Sequence, residues 1–191
     1  MKVRLAIYFF VRSSRNVAES KGAYRINVEA DLKPLEMIAE GGAAQIFTAT
    51  VVNPTLKQRL GSDGDMVVVK LLKEQPNIKI ERIRAAFQQE VAIMWLLSHH
   101  RSFIKFLGYS SEPMAFVSRN YKYGPLSRHI YRVTGGGFTL PDEEYTSMFM
   151  LDMACDIAAG LKEMHDRGII HNDVKVIFTM TTSLTNPDLC W

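Results

Sequence analysis

Met66-Val67-Val68-Val69-Lys70-Leu71-Leu72 is the stretch that decides the fold of this chain. Its β-branched residues favour an extended strand. A lysine in such a strand is most often a solvated charge at a sheet edge, so the stretch alone leaves the role of Lys70 open. The elements on either side of the strand determine that role.

A glycine turn between two short apolar segments precedes the strand. Residues 35–52 have Gly41 and Gly42 near their centre, which predicts strand, turn and strand. Residues 53–65 are rich in glycine, proline and polar residues, so we predict a loop between hairpin strands. The strand of Lys70 then follows this loop in the same small sheet.

A helix, two strands and a long helix follow. Residues 80–98 place apolar side chains at helical spacing without proline or glycine, which predicts an amphipathic helix. Residues 103–109 and 114–118 predict two more strands, and residues 141–166 a long helix with one apolar face. We therefore predict an α+β chain: a complete antiparallel sheet lobe with one helix, then the start of a helical lobe.

Composition excludes several classes of protein. The 191 residues are 47% hydrophobic and 23% charged, which is enough apolar material for a core and argues against wholesale disorder. The net charge of +3 is spread out, so we expect no nucleic acid and no membrane partner. The apolar run Leu5–Val11 is far shorter than the roughly 20 residues that span a bilayer. Without a disulfide framework, the chain is expected to be soluble and cytoplasmic.

Two further features suit phosphoryl transfer. Glu90 lies on the first helix, where it can turn toward Lys70, and a phosphate-binding lysine needs an anionic partner to fix its rotamer. His171-Asn172-Asp173-Val174-Lys175 follows the long helix. There the carboxylate can accept a hydroxyl proton and the lysine can neutralise phosphate charge. Each feature alone is weak, and their order and spacing are the signal.

The order of these features resembles that of the eukaryotic protein kinases, from about Leu35 to Lys175. The segments that carry the resemblance are 38–46 for the glycine-rich loop, 67–70 for the lysine strand, 87–91 for the glutamate helix, 115–118 for the strand into the hinge, and 169–175 for the catalytic loop. The lysine at position 175 resembles the pattern of the serine/threonine branch of the family. The resemblance implies a bilobal kinase fold.

The resemblance also implies a site. Asp173 would accept the proton of the substrate hydroxyl, and Lys175 would stabilise the γ-phosphoryl group. The implied ATP-binding residues are Ile38, Gly41, Gly42, Ile46, Val68, Lys70, Glu90, Ser118, Asn120 and Tyr121. ATP and Mg²⁺ are the implied cofactors, and an intact family member would act on a protein substrate.

Departures from the family pattern weaken parts of this expectation. Ala39 and Ala44 stand where the loop has further glycines, and a methyl group there weakens nucleotide binding. Val68 replaces a small alanine and narrows the adenine pocket. Asn172 replaces an arginine that binds a phosphorylated activation loop in many members, so we expect no control of that kind.

The largest departure follows Lys175. Val176-Ile177-Phe178 stands where the family has proline, a variable residue and a Mg²⁺-binding asparagine, and no Asp-Phe-Gly appears. We therefore identify no metal ligand. Two hypotheses remain: a protein kinase domain, truncated after the catalytic loop and inactive in this chain, or a pseudokinase fragment that binds nucleotide or a partner without catalysis.

The expected organisation has a family part and two flanking parts. A truncated helical lobe would expose an apolar patch from Met150 to Met164, so we expect chaperone association. Residues 176–191 would be disordered. They would be either a genuine tail of the protein or the product of reading through an intron. The predicted bounds are a leader at 1–33, the N-lobe at 34–118, the hinge at 119–124, the start of the C-lobe at 125–175 and a non-family tail at 176–191.

Overall fold

The computed structural model describes residues 2–5, 24–61, 64–121, 133–134, 137–138, 147–171 and 179–183. The chain divides into two compact units. We call them the sheet unit, Ser14–Leu96 with Lys105–Asn120, and the helical unit, which contains Met1–Ser13, Leu97–Ile104 and Tyr121–Trp191.

The described residues contain both strands and helices. In chain order they are β1 (Lys2–Leu5), α1 (Val28–Asp31), β2 (Leu32–Glu40), β3 (Ala44–Val51), α2 (Pro54–Leu60), β4 (Met66–Leu72), α3 (Ile80–Leu97), β5 (Phe106–Ser111), β6 (Met114–Arg119), β7 (Val133–Thr134), β8 (Gly137–Phe138), α4 (Ser147–Asp166) and β9 (Thr179–Ser183). The sheet unit is built on a five-stranded antiparallel sheet in the order β2-β3-β4-β6-β5.

Alternation along β4 separates the two faces of this sheet. Val67 and Val69 are fully buried on the outer face, in a core that α1 and α2 complete through Val28, Leu56 and Leu60. Lys70 lies on the opposite, inner face. The central strand is therefore covered on its outer side by the segment before β2 and by α2.

Helix α3 covers one end of the inner face. Phe87 and Val91 of α3 pack against Phe106 of β5 and Phe116 of β6 in a second core. The rings of Phe87 and Phe116 have centroids 4.7 Å apart, a contact that adds roughly 0.5–1.5 kcal/mol beyond area burial. This packing fixes α3 beside the strand that carries Lys70.

Most of the predicted sheet lobe is present. β4 has the predicted bounds, α3 ends one residue before the predicted end, and the two later strands form the hairpin β5–β6. The α+β fold class is confirmed. The expectation of one helix is wrong, because the described part of the sheet unit also contains α1 and α2.

The prediction of a plain loop over 53–65 is also wrong, because α2 lies there. The side-chain oxygen of Asn53 accepts hydrogen bonds from the backbone N–H groups of Thr55 and Leu56 at 2.9 and 3.2 Å. Pro54 occupies the first turn, and Gly61 ends the helix with φ of 70°. Asparagine, proline and glycine are common in loops, but in this order they begin and end a helix.

The segment before α1 lies along the edge of β5. Arg25 forms a parallel bridge with Tyr109, and the backbone N–H of Ile26 donates to Tyr109 O at 2.9 Å. The approach is close because Gly108 has no side chain. A Cβ atom at Gly108 would lie 2.7 Å from Tyr24 O and 2.8 Å from Ile26 Cγ2.

Substitution at Gly108 tests this contact. Gly108→Ala is expected to lower the free energy of unfolding by about 1–3 kcal/mol, because the methyl group must displace backbone. Urea denaturation measures the change. Gly42→Ala is the matched control, since a Cβ atom there would meet no atom within 4 Å and stability should not change. Equal stability of Gly108→Ala and the wild type would contradict the close approach.

The helical unit contains α4 and a short pairing between distant parts of the chain. β1 pairs antiparallel with β9, so the expectation of disorder is wrong for Thr179–Ser183. The expected exposed patch is wrong at Met153 and Met164, which are both buried, while Leu151 is exposed. Among the described residues, no helix is both long and apolar enough to cross a membrane.

Candidate functional site

Lys70 and Glu90 form an ion pair inside the sheet unit. The strand β4 supplies the lysine and the helix α3 supplies the carboxylate, and Lys70 Nζ lies 3.0 Å from Glu90 Oε1. The two side chains are only 15% and 13% exposed. A charge pair removed from water in this way costs desolvation energy, so it is weak evidence for stability and calls for a functional reason.

Burial controls the ionisation of both groups. It lowers the pKa of Lys70 and raises the pKa of Glu90, and in each case the charge and hydrogen bond of the partner act in the opposite direction. Desolvation is the larger effect on both pKa values. Each charged form is therefore maintained by the other residue, and removing either one leaves the remaining charge poorly solvated.

Several predicted ATP-binding residues share the inner face with Lys70. Ile46 of β3 is directly opposite Lys70 in the strand register, and Ser118 of β6 is opposite Val68. Residues opposite one another in antiparallel strands project from the same face. The register therefore brings Ile46, Val68, Lys70 and Ser118 together.

The aromatic ring of Phe116 lies beside the ion pair. It lies opposite Lys70 on β6, and Lys70 Nζ is 5.2 Å from the centroid of its ring. The same ring packs against Phe87 of α3. Lys70 is thus fixed by the Glu90 carboxylate and by an aromatic face, which both favour its protonated form.

The predicted glycine turn joins β2 to β3. Gly41 N donates to Ala44 O at 2.9 Å, and neither Gly41 nor Gly42 has the positive φ that only glycine adopts readily. A Cβ atom at Gly41 would meet only Ala44 O at 3.9 Å. Contacts and backbone conformation within the sheet unit therefore do not require glycine here. Glycine at these positions would also allow a ligand to approach the backbone closely.

A second ion pair, which the sequence did not reveal, ties this turn to the end of β4. Lys73 Nζ lies 2.6 Å from Glu40 Oε1, and Gln45 Nε2 donates to the same oxygen at 2.9 Å. The hydrogen bonds from Lys73 and Gln45, with the charge of Lys73, lower the pKa of Glu40. Both partners are partly exposed, so the contribution to stability is small.

The remaining predicted residues are placed less completely. Ile38 is exposed on β2, and Asn120 follows the last residue of β6. Tyr121 is buried and belongs to the helical unit. Asp173 and Lys175 lie outside the described residues.

A comparison with protein families agrees with this arrangement. The model of the family described as protein tyrosine and serine/threonine kinases matches residues 32–178, which includes both residues of the buried ion pair. The chain belongs to this family. The match begins at the start of β2 and extends three residues past Lys175. The proteins similar to this kinase domain give the same family.

One relative, "Probable serine/threonine-protein kinase pats1" of Dictyostelium discoideum, is 28% identical over 150 residues, which are 73% of this chain and 4% of that protein. A second probable serine/threonine-protein kinase from the same organism is 31% identical over 117 residues, 59% of this chain and 8% of its own length. "Probable serine/threonine-protein kinase PBL4" of Arabidopsis thaliana is 27% identical over 162 residues, 83% of this chain and 36% of its length. The chain thus spans about a third or less of each relative.

Proposed function

We propose that this kinase domain binds ATP on the inner face of its sheet, with the phosphates at Lys70. The buried Lys70–Glu90 ion pair is the observation that carries the proposal. A lysine whose rotamer is fixed by a carboxylate presents a preformed cation to phosphate oxygens. Its position on the central strand supports this role.

The residues around Lys70 fit the other parts of a nucleotide. Ile46 and Val68 offer apolar surface to the purine, and the turn of Gly41 and Gly42 leaves room beside the phosphates. In the proposed arrangement Ser118 and Asn120 lie along the adenine edge, and Ile38 contributes apolar surface beside the nucleotide. Tyr121 belongs to the helical unit, and its role in ATP binding remains a prediction. Bound ATP would supply the transferable phosphoryl group of the family's reaction.

The residues of this chain fit a Mg²⁺ site less well than they fit ATP. Phe178 stands at the position of the family's Mg²⁺-binding asparagine, and its side chain has no ligand atom. Within the described ranges, His, Cys, Asp and Glu residues form no group of three that could hold a metal ion. We therefore propose nucleotide binding without phosphoryl transfer as the activity of this polypeptide.

An active protein serine/threonine kinase is the second candidate. Asp173 and Lys175 keep the residue types that accept the hydroxyl proton and stabilise the γ-phosphoryl. The names of the relatives in Dictyostelium and Arabidopsis agree with it. A protein substrate belongs to this candidate. The predicted domain bounds, cytoplasmic location and chaperone association remain predictions.

Calorimetric titration with ATP, in Mg²⁺ and in EDTA, tests the proposal together with phosphate incorporation into a serine/threonine peptide library. We expect saturable binding of ATP that is the same in Mg²⁺ and EDTA, with no incorporation. A folded protein that does not bind ATP would overturn the binding proposal. Incorporation that Lys70→Met abolishes would establish the active kinase instead.

A further inference from the structure

The C-terminal end of α2 is tied to the strands β5 and β6. The last carbonyl groups of a helix have no partner within the helix and must find one elsewhere. Here Arg59 O accepts a hydrogen bond from Lys105 Nζ at 2.9 Å, and Leu60 O accepts one from Arg119 Nη2 at 2.8 Å. Both donors are cations, which the negative end of the helix dipole also favours.

In a third hydrogen bond the donor lies on α2 and the acceptor on β5. Arg59 Nη1 donates to Leu107 O of β5 at 3.3 Å, and the same guanidinium lies 5.1 Å from the centroid of the Tyr24 ring. The helix itself is held by Leu56 and Leu60, which are both buried in the outer core. Helix α2 is therefore a fixed support rather than a loose insertion.

Arg119 connects this support to the proposed adenine edge. It is the last residue of β6, directly after Ser118, and its backbone N–H donates to Lys105 O at 3.0 Å. It is opposite Val67 in the register, so its side chain projects from the outer face, away from Lys70. The guanidinium of Arg119 is thus placed to act on nucleotide binding through the backbone and not by contact.

We propose that Arg119 is a positioning residue for the nucleotide, through which α2 holds the end of β6 where the backbone meets adenine. The inference rests on the proposed function. Binding groups must be held within about 0.5 Å of their productive position to keep their affinity, and hydrogen bonds from a supporting layer supply that precision. Three hydrogen bonds join α2 to Leu107 of β5, to Arg119 of β6 and to Lys105, the residue before β5.

The test compares ATP with adenosine, which lacks the phosphates. Arg119→Ala is expected to weaken binding of both ligands by the same factor, about 5-fold, as for other substitutions that act at a distance. Arg119→Lys keeps a cationic donor and should retain most of the affinity. Arg84→Ala is the matched control, because Arg84 is an exposed arginine of the same unit that pairs with Glu112, and its removal should change neither affinity.

The measurement is calorimetric titration at a temperature where each variant is folded by circular dichroism. A merely structural role would lower the melting temperature of Arg119→Ala and leave both affinities unchanged, which would overturn the inference. If Arg119→Ala does not fold, Arg119→Gln takes its place with the same expected loss for both ligands. A folded wild type that binds neither ligand would overturn the proposed function as well. If the wild type and folded Arg119→Ala bind each ligand with the same affinity, the positioning role alone is overturned.

Discussion

Lys70→Met is expected to reduce the affinity for ATP by at least about 30-fold, since losing one partner of a buried charge pair costs roughly 2 kcal/mol or more. The loss has two causes: the cation that meets the phosphates is gone, and the buried carboxylate of Glu90 then repels them. Binding of adenosine should not change, because adenosine has no phosphate. Calorimetric titration with both ligands measures the difference.

The control for this prediction is a second paired lysine of the sheet unit. Lys57 of α2 lies 2.7 Å from Asp65 Oδ2 and is much more exposed than Lys70. Lys57→Met should therefore leave both affinities unchanged. Parallel losses of ATP and adenosine binding in Lys70→Met would show that the substitution disturbs the whole site, and the phosphate role of Lys70 would be wrong.

The second large effect concerns stability. Lys70→Met should lower the free energy of unfolding by about 3–5 kcal/mol, because Glu90 is left as an uncompensated charge in a buried position. The double variant Lys70→Met/Glu90→Leu should recover most of this loss, since an apolar pair of similar volume avoids the cost of desolvation. Urea denaturation of the wild type, the single and the double variant gives the three values.

The pH dependence of Lys70→Met gives an independent check. Burial raises the pKa of Glu90 above 4.5, and in the wild type Lys70 opposes that rise. Without Lys70 the folded pKa rises further, so in the window above pH 4.5 the folded state binds more protons than the unfolded state. Stability is then highest below this window and is lost as the pH rises through the folded pKa. The double variant should lack this slope.

The outcome that contradicts the stability prediction is a double variant as unstable as the single one. Recovery of stability without recovery of ATP binding would separate the two roles of the pair. In that case the charges of Lys70 and Glu90 are retained for the phosphate group and not for folding. A buried ion pair that stabilises the fold no better than apolar residues do is evidence for a role other than stability.

The strand and the helix that carry Lys70 and Glu90 could be predicted from the sequence because their signals are local. The β-branched run of β4 and the helical spacing of α3 each fix one element, and the alternation along β4 places Lys70 opposite the apolar core. Glu90 lies 20 residues after Lys70 on the predicted helix, and the contact expected from the order of these elements is present. No such pattern in the sequence marked the pair of Glu40 and Lys73.

The outer face could not be predicted in the same way. Asn53, Pro54 and Gly61 indicate a loop or a capped helix, and burial of Leu56 and Leu60 decides in favour of the helix. The contacts of Arg59 and Arg119 join residues 46 to 59 positions apart, and depend on where α2 packs. Pairing of β1 with β9 is likewise a product of tertiary structure and not of local preference.

Covalent labelling locates the phosphates of ATP. An ATP analogue with an acyl group on its γ-phosphate transfers that group to a nearby amine, with formation of an amide and release of ATP. Burial lowers the pKa of Lys70, which increases its neutral, nucleophilic fraction. Mass spectrometry of peptides from the labelled protein should find the acyl group on Lys70, with labelling suppressed by excess ATP. Labelling of the folded protein on exposed lysines such as Lys57, with Lys70 unmodified, would contradict a phosphate site at Lys70.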